Sequence, residues 1–192
     1  MNVSDAIKNR RAYRSLDPIE ITQDLIHDLA YHASLSASCN NYQPWRFVFV
    51  YDKEKLEKIY PLLPKGNKWM EQSSMIIAVF SRQADDCIQK DRVYNLFDTG
   101  MATAFLILRA TELGLVAHPV SGYDQEGVKQ LLSIPQDYQV ITLVNVGKHS
   151  ATISPLLSEK QVLSEKERPP RKIFEEYSHF NKYSTNEKKL SD

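Results

Sequence analysis

The chain has 192 residues, 42% of them hydrophobic and 25% charged, which suits one domain large enough to bury its own core. Its 24 basic and 24 acidic residues cancel to a formal charge of zero, arguing against a nucleic-acid binder, since those carry a basic excess or a broad basic face. No apolar run approaches the ~20 residues a membrane helix requires, and the polar first residues lack the form of an export signal, so the sequence reads as soluble and cytoplasmic. The two cysteines, Cys39 and Cys87, form no CxxC pair and are expected to be reduced.

In chain order, Ser4 is placed to cap a first helix, with Val3, Ile7 and the Arg11 stem along one side. Leu16-Asp17-Pro18 should end it, because the residue before a proline is pushed out of the helical region. A second helix starts near Thr22, with Leu25, Ile26, Leu29, Ala30 and Ala33 on its buried face. A polar loop over 36–44 leads into a strand over 46–51, rich in β-branched and aromatic residues. A helix over 53–62 follows, then a short, fully buried strand over 75–80. The longest element, 91–113, is a helix apolar almost all round, with Gly114 in the position of a C-terminal cap. Such a helix must be covered on most sides, as a central helix or as a dimer face. Beyond it lie a strand near Val116-Ala117, a turn at Ser121-Gly122, a helix over 128–132 and a strand over 140–146.

From Thr152 the chain turns polar, charged and proline-containing, with little that would build a core. Such a tail is either disordered or laid across a partner surface. Phe174, Tyr177 and Phe180 are spaced to anchor a short helix and favour the second reading. Neither an internal repeat nor a second domain is found, so residues 1–192 read as one domain with an arm over 152–192.

Several chemistries are excluded by their signatures. The six glycines form neither GxGxxG nor a Walker A loop, and there is no GxSxG or HExxH. His27 and His32 are separated by about 140° on a helix, so they do not share a face as metal ligands would; no metal site is expected. What remains is Arg10, Arg11 and Arg14, three arginines within five residues. On a helix Arg10 and Arg14 would share a face with Arg11 adjacent. Guanidinium groups match phosphate oxygens bidentately and keep their charge, although the same residues would also suit a solvated basic face. Ser38, Asn41 and Gln43 in the 36–44 loop would hydrogen-bond the polar edge of a planar ligand or make turns. Ser121-Gly122 would let backbone N–H groups approach such a ligand. Arg168 and Arg171 would add cations to a phosphate site or keep the tail soluble.

Taken together, in this order, these segments resemble the FMN-dependent nitroreductase family. The N-terminal run is similar to that family's Arg-Arg-Ser-x-Arg stretch, and Ser38-Cys39-Asn40-Asn41-Tyr42-Gln43-Pro44-Trp45-Arg46-Phe47 to its S-x-x-N-x-Q-P-W-x-F segment. Asp98-Thr99-Gly100, Gly114 and 119–123 match its central helix and flavin-facing turn, and 168–176 its R-K-P-L-E-E ending. The resemblance implies an α+β fold: a mixed sheet flanked by helices, in an intertwined homodimer with FMN at the interface and an extended C-terminal arm. It implies that Arg10 pairs with the FMN phosphate and Arg11 lies at the phosphate and ribityl chain. Arg14 would reach the flavin N1/O2 edge as the catalytic residue. Ser38, Asn41 and Gln43 would line the flavin, Ser38 from the second copy. Ser121 and Gly122 would offer N–H groups near N5 and O4, and Arg171, with Arg168 as a weaker choice, would complete the phosphate site. Three departures stand out. Ala12, in the cofactor segment, replaces the usual serine, Ala37 replaces a proline, and Ser121 stands where some members carry glutamate, which bears on nitro reduction. The implied activity passes hydride from NAD(P)H through flavin N5 to a small electrophilic acceptor; the alternative is an FMN carrier or redox sensor without turnover.

Overall fold

The computed structural model describes residues 1–184; residues 185–192 of the expected arm lie outside them. Helix α1 (Val3–Asn9) is capped by Asn2, not Ser4: the Asn2 side chain accepts from the Asp5 amide at 2.9 Å and Asp5 reaches back to the Asn2 amide. This reciprocal box satisfies two of the helix's unpaired donors. The helix stops at Asn9, and the backbone leaves it extended at Arg10, with ψ 122°, running on to the short strand β1 (Leu16–Asp17). Arg10 and Arg14 therefore do not share a helical face as the sequence suggested. Like charges four apart on a helix repel, and in this segment Arg11 reaches the end of α6 while Arg14 lies over Trp69.

Helix α2 (Gln23–Ser34) starts at Thr22, whose hydroxyl accepts from the Leu25 amide at 3.1 Å. Next come β2 (Arg46–Val50), α3 (Lys53–Ile59) and β3 (Met75–Ser81). A two-stranded hairpin, β4 (Ile88–Gln89) and β5 (Arg92–Val93), then precedes α4 (Asn95–Glu112). The sequence placed the start of α4 near Asp91. The hairpin displaces it, turning through Lys90 at φ 64°. The chain continues through β6 (Val116–Val120), α5 (Gln125–Leu132), β7 (Gln139–His149) and α6 (Glu159–Lys166).

Strand β7 organises the sheet. β3 pairs along one edge, β6 along the other, β1 pairs with its last two residues, and β2 lies outside β3. The α+β class is as expected. Every pairing among the described residues is antiparallel, so the mixed character expected of the sheet is not present within one chain. Alternation along β3 divides the core: Ile76, Ala78 and Phe80 face a layer built with Leu56, Ile59, Trp69 and Val128, while Met75, Ile77 and Val79 face Leu29, Ala33, Ala102 and Leu106. Pro119 sits in β6, which has a neighbour on one side only, the position where a strand tolerates proline.

α4 buries Ala102, Leu106 and Ala110 against α2 and the sheet, yet leaves Phe97 63% and Phe105 44% exposed. Cys39 and Cys87 are joined in a disulfide across 48 residues, their Cα atoms 6.1 Å apart. The expectation of two reduced cysteines is thereby corrected: the fold brings the loop after α2 against the turn before β4, a proximity that sequence spacing does not report. The tail is described from Thr152 to 184. It carries α6, opened by a Ser158/Gln161 capping box, and one 3-10 turn (Phe174–Glu176). Phe174, Tyr177 and Phe180 pack on one another, with ring centroids 6.0 and 5.7 Å from Phe174, and remain exposed. Among the described residues, no helix is long and apolar enough to cross a membrane.

Candidate functional site

The two ends of the chain meet. Arg10, Arg11, Ala12 and Arg14 from the N-terminal segment, and Ser164, Arg168, Pro169 and Arg171 from the tail, line one cavity of about 220 Å³. Two of the arginines also hold the walls. Arg11 Nη2 donates to the carbonyls of Ser164 (2.9 Å) and Glu165 (3.3 Å), closing the end of α6. Arg168 Nη2 donates to the carbonyls of Lys8 (2.6 Å) and Arg10 (2.8 Å), closing the end of α1. A helix's last carbonyls lack intrahelical donors and carry partial negative charge, so a guanidinium suits both places. Arg171 donates only to Pro169 O, at 3.2 Å. Arg10's side chain has no hydrogen-bond partner among the described residues, and burial, then Arg168, Arg171 and Arg11 in turn, pull it below the ordinary arginine value.

Elsewhere Arg46, Arg82 and Arg109 come with acids. Arg82 is bonded to Asp85 and Asp137, each at 2.6 Å, and Arg109 to Asp28 and Glu112, each at 2.7 Å. The cavity is lined by five arginines and no carboxylate. Glu165, the nearest buried acid in sequence, spends its oxygens on the backbone: Oε1 accepts from the Arg14 amide at 2.6 Å and Oε2 from the Ser15 amide at 3.3 Å. A concentration of guanidinium groups with no carboxylate in the lining has the chemistry to hold an anion.

Arg14 faces a second layer. Its guanidinium carbon lies 5.7 Å from the Trp69 ring centroid, and the His118 ring stacks on the same indole at 4.9 Å. Burial lowers the Arg14 value, opposed by Glu165. His118 Nδ1 lies 3.0 Å from the Tyr13 carbonyl, so that nitrogen carries the hydrogen. Burial is the main cause that brings this imidazole down to about 4, leaving it neutral. Trp69 Nε1 is buried without an acceptor among the described residues. None of Glu165, Trp69 and His118 was picked out from sequence. A lone acid in a charged tail, a tryptophan in a polar run and a strand histidine carry no pattern that marks them.

His118 belongs to β6, and Ser121 lies three residues further on, about 10 Å along a strand. Ser121 is exposed and Gly122 half-buried. Gly122 O accepts from Asn67 Nδ2 at 2.8 Å, and a Cβ at Gly122 would lie 3.0 Å from that nitrogen and 3.4 Å from Pro64 Cγ. The close approach at Gly122 is to Asn67.

The Ser38–Gln43 loop forms a separate feature. Asn40, Asn41 and Gln43 adopt φ 47°, 58° and 52°, a region asparagine tolerates and glutamine seldom enters. Ser38 Oγ accepts from the Gln43 amide at 3.0 Å, and the Cys39 amide donates to Asp98 at 2.6 Å. The arginine cavity's lining includes none of Ser38, Asn41, Gln43, Ser121 or Gly122. The loop instead borders a cleft shared with Phe97 and Met101 of α4. Within one chain, the arginines from both ends come together and the loop does not join them.

A family model described as Nitroreductase family matches residues 7–67 and 62–148. YdgI of Bacillus subtilis strain 168, provisionally named an NAD(P)H nitroreductase, is 25% identical over 181 residues, covering 75% of this chain and 87% of its own. The crystal structure of an oxidoreductase containing FMN superposes with a TM-score of 0.80 at 24% identity, over 96% of this chain and 94% of that one. A protein of Exiguobacterium sibiricum 255-15, provisionally named a nitroreductase and solved in complex with FMN, superposes at 0.70 with 22% identity, over 84% and 96%. The matched span runs through Arg10–Arg14, the Ser38–Trp45 loop and β7, and the chain belongs to the nitroreductase family.

Proposed function

We propose that the chain is an FMN-dependent oxidoreductase, working as a homodimer, that passes hydride from NAD(P)H through flavin N5 to a small electrophilic acceptor such as a nitroaromatic or a quinone. The observation that carries this reading is the cavity lined by Arg10, Arg11, Arg14, Arg168 and Arg171 with no carboxylate, which suits the phosphate of FMN. Arg10 and Arg171 have guanidinium donors to offer it. Arg11 and Arg168 add charge while their other N–H groups hold α6 and α1. Ala12 lines the cavity without a hydroxyl, so phosphate contacts there fall to guanidinium and backbone N–H groups.

When bound, FMN supplies the hydride chemistry itself. Arg14, set by Glu165 at its amide and by the Trp69 face, would hold the flavin's N1/O2 edge with a fixed positive charge. Ser121 and Gly122, where β6 ends, offer N–H groups toward N5 and O4. Ser38, Asn41 and Gln43 would line the flavin, Ser38 from the second copy. The exposed Phe97 and Phe105 on α4, and the cleft that joins Phe97 to Ser38, favour a second copy on that face.

The test is to load the purified full chain with FMN and add NADH or NADPH without oxygen. Bleaching of the flavin absorbance, then recovery on adding a quinone or a nitroaromatic, is the expected result. A flavin that stays oxidised with both donors would leave a carrier or sensor, and a chain that takes up no FMN would sink the reading altogether. Sedimentation of the loaded protein as a monomer would remove the homodimer.

A further inference from the structure

The disulfide lies in the loop assigned above to the flavin. Cys39 is partly exposed and Cys87 is buried. Each half-cystine's amide donates to a buried carboxylate, Cys39 to Asp98 at 2.6 Å and Cys87 to Asp86 Oδ1 at 2.7 Å. Asp86 Oδ2 is buried without a hydrogen-bond partner among the described residues. Burial raises Asp86 above the ordinary carboxylate range, opposed by the Cys87 amide and reinforced by Asp98. A disulfide between a partly exposed and a buried half-cystine, with a buried acid next in sequence to the second, makes a site for thiol–disulfide exchange.

The loop is also held against its own preference. Asn40, Asn41 and Gln43 sit in the left-handed region; asparagine tolerates it, but at Gln43 it persists only if the surroundings impose it. Cys39 is the covalent part of those surroundings, and Asp98 and the Ser38–Gln43 hydrogen bond are the rest.

We propose that Cys39–Cys87 is a reversible thiol–disulfide site whose reduction by a dithiol releases the Ser38–Gln43 loop and weakens FMN retention. The FMN half of this rests on the function proposed above; the exchange chemistry does not. A thiolate of the dithiol attacks Cys39 Sγ, the S–S bond breaks, and Cys87 Sγ leaves with the electron pair and takes up a proton from solvent, with Asp86 as the relay. The second thiol then attacks the mixed disulfide at the reductant's own sulfur and loses its proton to solvent. Cys39 Sγ leaves and is protonated there. Two electrons and, in net, two protons pass from the dithiol to the cystine, and the reductant ends as its disulfide.

The full chain is equilibrated in graded ratios of reduced to oxidised dithiothreitol, without denaturant and without oxygen. Thiols are alkylated and counted by mass, FMN affinity is read from flavin fluorescence, and amide exchange is followed over 36–45. The expected result is a reversible change from zero to two thiols, faster exchange in the loop, and an FMN Kd raised about tenfold, as when the competent loop falls to about a tenth of the population. The double variant Cys39→Ser/Cys87→Ser should match the reduced protein and ignore the redox ratio, which separates a loop effect from direct reduction of the flavin. Asp86→Asn should slow reduction without changing the final thiol count; an unchanged rate removes its proton role. A cystine that resists dithiothreitol until denaturant is added, or a loop whose exchange is the same in both states, overturns the proposal. Uptake of no FMN in either state would instead count against the function proposed above, with thiol counting and exchange still deciding the redox site.

Discussion

Glu165→Ala tests whether the tail is part of the fold or an appendage to it. The carboxylate is 4% exposed and accepts from two backbone amides, Arg14 at 2.6 Å and Ser15 at 3.3 Å. Its further contact with His149, at 3.7 Å and 42% exposed on the histidine side, adds little, as exposed pairs do. A hydrogen bond to a charged group contributes about 1.5–3 kcal/mol, and a buried donor left bare loses that and its hydration. The second bond is long and water will reach one of the amides, so the loss should be about 3 kcal/mol. For a chain of this size that is a fall of about 6–12 °C in Tm. Glu165→Gln keeps one acceptor oxygen and should lose about half as much, providing a folded variant if the alanine form is too weak. Urea and thermal unfolding of the chain without and with FMN give the values. FMN affinity should drop in both variants, because the same carboxylate fixes the segment that bears Arg14. A loss below about 0.5 kcal/mol in Glu165→Ala, with FMN affinity intact, would refute the reasoning.

Three further outcomes follow from the site. Arg10→Gln should weaken FMN by about 10–100-fold, the range of one charge-assisted bond, while leaving Tm without FMN unchanged or higher, since it removes a like charge from Arg168 and Arg171; a lower Tm without FMN would mark Arg10 as structural. His118 is held down to about 4 in the fold from an ordinary 6.5, so between those values the unfolded chain binds more protons. Stability should be complete above pH 6.5 and fall by up to about 3 kcal/mol as the pH drops to 4. His118→Phe should flatten that difference in pH-dependent urea melts, and parallel curves for the two proteins would show the slope to lie elsewhere. Gly122→Ala puts a methyl 3.0 Å from Asn67 Nδ2; it should cost about 1 kcal/mol and disturb the turn after β6, seen as weaker FMN binding, whereas a neutral change in both would show that Asn67 yields freely.

Where periodicity carries burial, the sequence was readable. The alternation of β3 and the spacing of Leu29, Ala33, Ala102 and Leu106 both describe layers that are present. The arginines of the site were readable as a set, by kinship, because guanidinium chemistry is conspicuous. Their geometry was not. The N-terminal run has helical spacing, and only the tertiary contact between Arg168 and the carbonyls of Lys8 and Arg10 shows where the helix ends. The β4–β5 hairpin has too few residues for any period to register, so the start of α4 was set too early. The disulfide was missed for a different reason: pairing depends on distance in the fold, and compartment was inferred from the absence of a leader. Glu165 resembles its solvated neighbours in every sequence property and differs from them only in burial.

The four guanidinium groups nearest the cavity's ends do not have one role, and the division can be argued from what each already holds. Arg11 closes α6 and Arg168 closes α1, so each end of the chain terminates the other's helix and the cavity exists only when both are in place. Substituting either one removes a cap as well as a charge, and should lower stability with or without ligand. Arg10 has no such duty, and Arg171 contacts only the nearby Pro169 carbonyl, so their donors serve whatever anion enters. Bringing them together works against the fold until that anion arrives, because the positive charges repel. A ligand that binds only the folded chain then stabilises it by mass action, and the stabilisation reaches both termini at once. The arginine-rich start of the chain is thus half of a joint whose other half lies about 160 residues away, and an anion bound there would favour closing that joint.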